Sequence, residues 1–131
     1  EPDLTFIRSD CCRAYTQVIL AEIQSVKTFV RLPKAWWPEH WKNKGYVDPV
    51  CELLRALYGH PLAGDMWHDK LEAILLKYGF ITIPDWPSIY ILITTVDGIR
   101  RVIIIIVYVD DLSMVDGKGL LPLLSQIRLE V

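Results

Sequence analysis

The chain has 131 residues, of which 52% are hydrophobic and 23% charged. This length suits one domain or part of one, and this composition is typical of a folded protein rather than a disordered one. The net charge of −2 gives no overall basic signal for nucleic-acid binding. No apolar run reaches the roughly 20 residues of a membrane-spanning helix, so we expect no membrane partner.

The cysteines indicate the redox environment of the protein, and the two ends of the chain indicate how much of a domain it contains. Cys11, Cys12 and Cys51 are odd in number, lack CxxC spacing and follow no signal peptide. They favour a reducing, intracellular environment. The chain starts without Met and ends inside a predicted helix, so we expect residues 1–131 to be a single domain that is incomplete at both ends.

In the first part of the chain, alternating apolar and polar residues predict a strand over residues 4–9, which ends at Asp10. A second, exposed strand is predicted over residues 27–32. Residues 34–49 are rich in Trp, Pro and Lys and have no clear period, which predicts a long surface loop. Residues 50–54 predict a further short strand.

Three tryptophans in that loop, Trp36, Trp37 and Trp41, interleave with lysines. They could form a stacking platform for single-stranded nucleic acid. We favour a second interpretation, an aromatic plug that packs the loop onto the core, because large aromatic side chains dominate core burial.

Beyond the loop, a turn over residues 56–61 precedes a helix that is predicted from about Leu62 to Tyr78, because its apolar residues recur at steps of three and four. Asp65 and Asp69 lie one turn apart on this helix, where a solvated face is a simpler use than a metal site. The remaining predictions are strands over residues 80–83, 88–95, 101–107 and 112–115, turns over residues 96–98 and 116–119, and an amphipathic helix over residues 119–131.

An acidic dipeptide, Asp110-Asp111, follows the strand predicted over residues 101–107, which is rich in β-branched residues, and precedes a short apolar segment. This order predicts a β-hairpin with both acids at its tip. Neighbouring side chains on a regular strand point to opposite faces, so only a turn lets both acids approach one point. Two anions held so close repel each other unless a cation lies between them, and hard divalent cations prefer carboxylate oxygens.

Asp10 is a candidate third acid. Taken alone, it is better explained as a cap for the turn or helix that follows. If the first strand pairs with the acidic hairpin, however, the strand spacing of about 4.8 Å brings the carboxylates together. A pair of divalent metals about 3.5–4 Å apart would fit between carboxylates so placed.

Together these segments resemble the reverse transcriptases of copia-type retrotransposons. The acidic hairpin, Tyr108-Val109-Asp110-Asp111, is similar to the YVDD box of that family. Three further motifs follow the family order over about residues 4–117: Asp10 with Tyr15 five residues later, Leu57-Tyr58-Gly59 with Ala63 and Trp67 downstream, and Leu75, Gly79-Phe80, Asp85, Ser88 and Tyr90.

The resemblance implies an α+β fold, the palm of a right-hand polymerase, in which an antiparallel sheet carries helices on one face and the fingers and thumb are truncated. It implies that Asp10 and Asp110 are the main ligands of two Mg²⁺ ions, with Mn²⁺ as an alternative, and that Asp111 has a weaker role. Further roles are implied for Cys11 through its backbone carbonyl at a metal, for Ala14, Tyr15 and Gly59 at the nucleotide, with Tyr15 as the steric gate, and for Tyr108 and Val109 beside the primer terminus.

The implied function is RNA-directed DNA polymerisation, the transfer of deoxynucleotides to a primer 3′-hydroxyl. The implied partners are an RNA template, a DNA or RNA primer, deoxynucleotides, and the integrase and RNase H of the polyprotein, in a cytoplasmic virus-like particle or the nucleus. We expect the isolated fragment to be inactive, because catalysis here is mostly positioning.

Two alternatives stay open. Leu62 stands where the family usually has Gln, which suits a catalytically inactive retroelement remnant that retains the palm fold. The other is an α+β domain whose acidic turn binds nothing.

Overall fold

The computed structural model describes residues 4–23, 27–117 and 127. The described chain combines helices with an antiparallel sheet, which confirms the α+β class. Its strands are β1 (Leu4–Asp10), β2 (Phe29–Arg31), β3 (Val50–Glu52), β4 (Ile81–Ile83), β5 (Trp86–Val96), β6 (Ile99–Tyr108) and β7 (Asp111–Gly117). Its helices are α1 (Leu20–Ile23), α2 (Glu39–Asn43) and α3 (Ala63–Lys77), with short 3-10 helices at Ala14–Gln17 and Lys34–Trp36.

The main sheet has five strands in the order β1-β7-β6-β5-β4, and every neighbouring pair is antiparallel. Strands β4 to β7 follow one another in sequence as hairpins. The first strand of the chain joins them at the edge, against β7, so the pairing of β1 is the long-range step of this fold. A separate two-stranded sheet pairs β2 with β3.

Helix α3 supplies much of the core through the apolar stripe that the sequence predicts. Its buried side chains include Trp67, Leu71 and Leu75, and Met66 joins them. The hydroxyl of the buried Tyr90 on β5 donates a hydrogen bond of 2.9 Å to Glu72 Oε2 on α3. This contact links the helix to the sheet.

The predicted elements after the loop occur with small shifts of their ends. Helix α3 starts and stops within one residue of the prediction, and the Asp97-Gly98 turn joins β5 to β6 with positive φ at both residues. Strands β5 and β6 are longer than predicted, because ladder pairing continues to the turn between them.

The expectation of an irregular loop over residues 34–49 was wrong in part. A short 3-10 helix and α2 lie within it, and each begins directly after a proline, Pro33 or Pro38. Both prolines have φ between −50° and −60°, which places the backbone close to a helical φ at the first turn.

Trp37 and Trp41 pack against each other within the loop, and none of the three loop tryptophans belongs to the main core cluster. The indole N–H of Trp37 donates to the Leu32 carbonyl at 2.9 Å, and its ring meets Trp41 edge to face at 6.3 Å. Trp36 is 72% exposed. The predicted packing of these tryptophans onto the core was therefore wrong, and the stacking interpretation stays a prediction.

The predicted turn over residues 116–119 is also corrected. Asp116 and Gly117 continue β7 and pair with Thr5 and Leu4, since the first strand extends far enough to partner them. The predicted helix over residues 119–131 lies outside the described residues except for Ile127, which is buried in the core. Nowhere in the described ranges is a helix long and apolar enough to cross a membrane.

Candidate active site

The acidic hairpin has a two-residue turn. Tyr108, the last residue of β6, pairs with Asp111, the first residue of β7, so Val109 and Asp110 form the turn itself. The predicted hairpin is present, but its two acids differ in position. Asp110 lies in the turn, and Asp111 already belongs to the ladder.

The pairing of β1 with β7 brings the third acid to this turn. Asp10 is the direct cross-strand partner of Asp111. One residue further, the backbone N–H of Cys11 donates to the carbonyl of Asp110 at 2.7 Å. The 3-10 helix that follows has Arg13 as its N-cap residue and no side-chain cap, so the capping interpretation of Asp10 fails for this helix.

The pKa of the Cys11 thiol reflects the negative charge of the nearby acids. Cys11 is buried, and burial raises the pKa of its thiol to about 11, with Asp10, Asp110, Cys12 and Asp111 adding to the increase. All three carboxylates thus act on one buried group. Asp10 and Asp111 are themselves exposed and Asp110 is half-buried, so an ion from solvent can reach them.

The chemistry of these donors suits a hard divalent cation, since all three are carboxylates. Across residues 4–23, 27–117 and 127, no group of three or more His, Cys, Asp or Glu side chains is arranged to hold a metal ion. The acids therefore suit Mg²⁺ by their chemistry, while their side chains are not gathered around a single centre.

Two tyrosines lie beside the acids. The rings of Tyr15 and Tyr58 have centroids 4.5 Å apart, and the Tyr58 hydroxyl lies 3.5 Å from Asp110 Oδ2. Partial desolvation and the Asp110 carboxylate raise the pKa of Tyr58. We did not single out Tyr58 from the sequence, although it stands in the Leu57-Tyr58-Gly59 motif. Gly59 has φ 93°, which a turn residue without Cβ adopts readily.

Trp67 on α3 is the second site residue that sequence reasoning missed, since its spacing predicted only a core position. Its indole N–H donates to the Val109 carbonyl at 2.7 Å. A cavity of about 330 Å³ lies here, and Tyr15, Trp67, Val107 and Val109 are among the residues that line it.

A second cavity, of about 570 Å³, lies at the 3-10 helix that carries Tyr15. It is lined by Cys12, Arg13, Thr16, Gln17 and Arg55, and Arg55 Nη1 donates to the Thr16 carbonyl at 3.0 Å. Two arginines in one open cavity make it suited to an anion.

The remaining predicted residues occupy different environments. Tyr108 is 77% exposed and Val109 is 39% exposed, whereas Ala14 is fully buried in the core. The Ala14 side chain therefore has no surface for a ligand. Asp65 and Asp69 are exposed on α3, as the interpretation of a solvated helix face predicts.

Two comparisons with known proteins agree on the type of protein. A family model described as reverse transcriptase (RNA-dependent DNA polymerase) matches residues 14–126. The retrovirus-related Pol polyprotein from transposon RE2 of Arabidopsis thaliana is 33% identical over 84 residues, which are 64% of this chain and 6% of that polyprotein. No solved structure matches the chain.

Proposed function

Because the chain belongs to the reverse transcriptase (RNA-dependent DNA polymerase) family, we propose that it carries the palm of an RNA-directed DNA polymerase of a copia-type retrotransposon. Asp10, Asp110 and Asp111 form its acidic centre. The reaction is the transfer of a deoxynucleotide to the 3′-hydroxyl of a primer.

The observation that carries this proposal is the strand register. Asp10 and Asp111 are cross-strand partners, and Asp110 lies in the adjoining turn, held to Cys11 by a backbone hydrogen bond of 2.7 Å. Acids from two distant parts of the sequence are therefore neighbours at one end of the sheet, and their mutual repulsion favours a cation between them.

In this proposal Asp10 and Asp110 are the main ligands of two Mg²⁺ ions, or of Mn²⁺ in their place, with the Cys11 carbonyl as a further ligand and Asp111 in a weaker role. When bound, such ions lower the pKa of an attacking hydroxyl and stabilise the charge on a leaving oxygen. The carboxylates serve to place this positive charge at the end of the sheet.

Other residues would hold the nucleotide and the primer. Tyr15 lies against Tyr58 next to Asp110, a position suited to a ring that packs on the sugar and excludes a ribose 2′-hydroxyl. Gly59 supplies a left-handed turn nearby. The exposed Tyr108 and the turn residue Val109 are placed at the tip, where a primer end would lie.

The larger partners are part of the same proposal. They are the RNA template, the DNA or RNA primer, and the integrase and RNase H of a polyprotein. The match spans 6% of the curated polyprotein, and in this proposal the integrase and RNase H would be other segments of such a polyprotein. The cavity with Arg13 and Arg55 offers positive charge for the triphosphate of a deoxynucleoside triphosphate.

Primer extension tests the proposal. The polypeptide encoded by the complete reading frame is supplied with an RNA template, a DNA primer, deoxynucleotides and Mg²⁺. Asp110→Asn should reduce extension by about 100-fold or more, since even the loss of a residue that only supports a metal ligand costs 10- to 100-fold.

Asp97→Asn is the matched control. Asp97 lies in a different hairpin turn, between β5 and β6, with φ 52°, a conformation that Asn tolerates. This variant should extend primers at the wild-type rate. Equal activity of Asp110→Asn and wild type would refute the assignment of the acidic centre.

An inactive remnant that retains the palm fold is the second candidate, and Leu62 motivates it. Leu62 is 47% exposed at the start of α3, and its side chain has no group that can hydrogen-bond a nucleotide. Wild-type protein that binds Mg²⁺ and primer–template but adds no nucleotide would favour this candidate.

A further inference from the structure

We infer that Trp67 is a positioning residue of this site: its indole N–H holds the Val109 carbonyl and thereby fixes the turn that presents Asp110. This inference rests on the proposed function, because Asp110 must be a metal ligand for its position to affect the reaction. Trp67 itself touches neither a ligand nor a reacting atom in this account.

The turn needs an external support because of its backbone. Val109 has φ 56°, in the left-handed region that a β-branched residue rarely adopts. Residues in such conformations persist only where the surrounding structure holds them, and they concentrate at functional sites. The natural residue for this place in a two-residue hairpin turn is glycine.

Both carbonyls of the turn are held by residues outside the hairpin. Val109 accepts from the Trp67 indole at 2.7 Å, and Asp110 accepts from the Cys11 backbone N–H, also at 2.7 Å. One contact comes from the helix layer and the other from the end of β1. The turn backbone that carries Asp110 is thus anchored to two separate elements.

Trp67 is a rigid support. It is 1% exposed, and Ala63, Met66 and Leu71 are buried with it on the same helix. Its indole nitrogen is a donor only, and a buried donor requires an acceptor. The Val109 carbonyl meets that requirement, so the bond satisfies the buried donor and also holds the turn.

Loss of this bond should affect catalysis more than binding. Displacement of a reacting group by about 1 Å costs on the order of 100-fold in rate. Trp67→Phe keeps an aromatic ring in the core but removes the N–H. We expect kcat for deoxynucleotide addition to fall by about 10- to 100-fold, with KM for the deoxynucleotide within about twofold of wild type.

A second readout does not depend on activity. Amide hydrogen exchange at residues 108–111 should be at least about tenfold faster in Trp67→Phe than in wild type, because the turn opens locally. Trp37→Phe is the matched control for exchange, since it also removes an indole–carbonyl bond, to Leu32 at 2.9 Å. It should leave the exchange of these amides unchanged.

A third readout needs no change at Trp67. In the wild-type protein, the indole N–H of Trp67 should exchange with solvent about 100-fold more slowly than that of the exposed Trp36. Equal exchange of the two indoles would overturn the inference even if Trp67→Phe does not fold.

The two proposals fail in different ways. If wild type adds no nucleotide, the proposed function fails, and the exchange data alone decide whether Trp67 holds the turn. If wild type is active but Trp67→Phe matches it in kcat and in exchange at residues 108–111, the positioning role is wrong and the proposed function stands.

Discussion

At the scale of single residues, Cys11 is the most informative group beside the acids. Its side chain is buried while its backbone N–H anchors the Asp110 carbonyl. Burial and the nearby carboxylates raise the pKa of its thiol from 9.0 to about 11. A thiolate at this position would add a fourth negative charge to the cluster, so the thiol stays mostly protonated at pH 9.0, where an unperturbed thiol would be half ionised.

We predict that, in metal-free protein with EDTA, Cys11 reacts with iodoacetamide far more slowly at pH 8.5 than the exposed Cys12, because the thiolate is the nucleophile. Asp110→Asn should lower the pKa of Cys11, since it removes one negative neighbour. Mass spectrometry of the alkylated peptides over a pH series measures both. Equal rates for the two cysteines would contradict the burial of Cys11.

The raised pKa of Cys11 also predicts how the free energy of unfolding depends on pH. A raised pKa means that the folded state favours the protonated thiol. The stabilisation from Cys11 is therefore complete below pH 9 and is lost as the pH rises through about 11.

At the scale of elements, β6 shows how one strand builds both the core and the site. Ile103, Ile105 and Val107 are buried, while Val102 and Ile106 on the other face are exposed. The strand is apolar on both faces, so its composition alone could not show which set faces α3. That choice depends on the pairing register with β5 and β7.

This register predicts that lysine substitutions at two neighbouring positions differ strongly in their effect on the free energy of unfolding. Ile105→Lys places a charge in the core and should lower the free energy of unfolding by about 4 kcal/mol or more. Ile106→Lys, on the exposed face, is the matched control and should change it by less than about 1 kcal/mol. Urea denaturation of both variants measures the difference, and similar losses would contradict the register.

At the scale of the whole molecule, the sheet order is what assembles the acidic centre. Strand β1 crosses to the edge beside β7, and only this long-range pairing brings Asp10 next to Asp111. The centre exists only in the folded chain. A cation that binds it must therefore stabilise the folded state.

We predict that Mg²⁺ raises the free energy of unfolding by about 1.4 kcal/mol at ten times its dissociation constant. The increase should vanish in Asp110→Asn, which removes a proposed ligand, and should persist in Asp97→Asn. Urea denaturation with Mg²⁺ and with EDTA provides the measurement. An equal Mg²⁺ effect in both variants would place the bound ion elsewhere.

The family, the α+β class, helix α3 and the β5–β6 and β6–β7 hairpins could be predicted from the sequence. The match to the reverse transcriptase family confirms the motif resemblance. These features depend on local chemistry: an apolar stripe at helical spacing, the Asp97-Gly98 turn, and a β-branched run before two acids. The role of each acid remains a prediction.

Only the tertiary structure decided which residues surround the acids. The sequence by itself determined that Asp110 and Asp111 lie at a hairpin, because turn and strand signals are short-range. It could not show that Trp67 holds the Val109 carbonyl or that Tyr58 lies beside Asp110, since those contacts join segments 42 and 52 residues apart. Periodicity reports which face of an element is buried, whereas packing decides which partner each buried group meets.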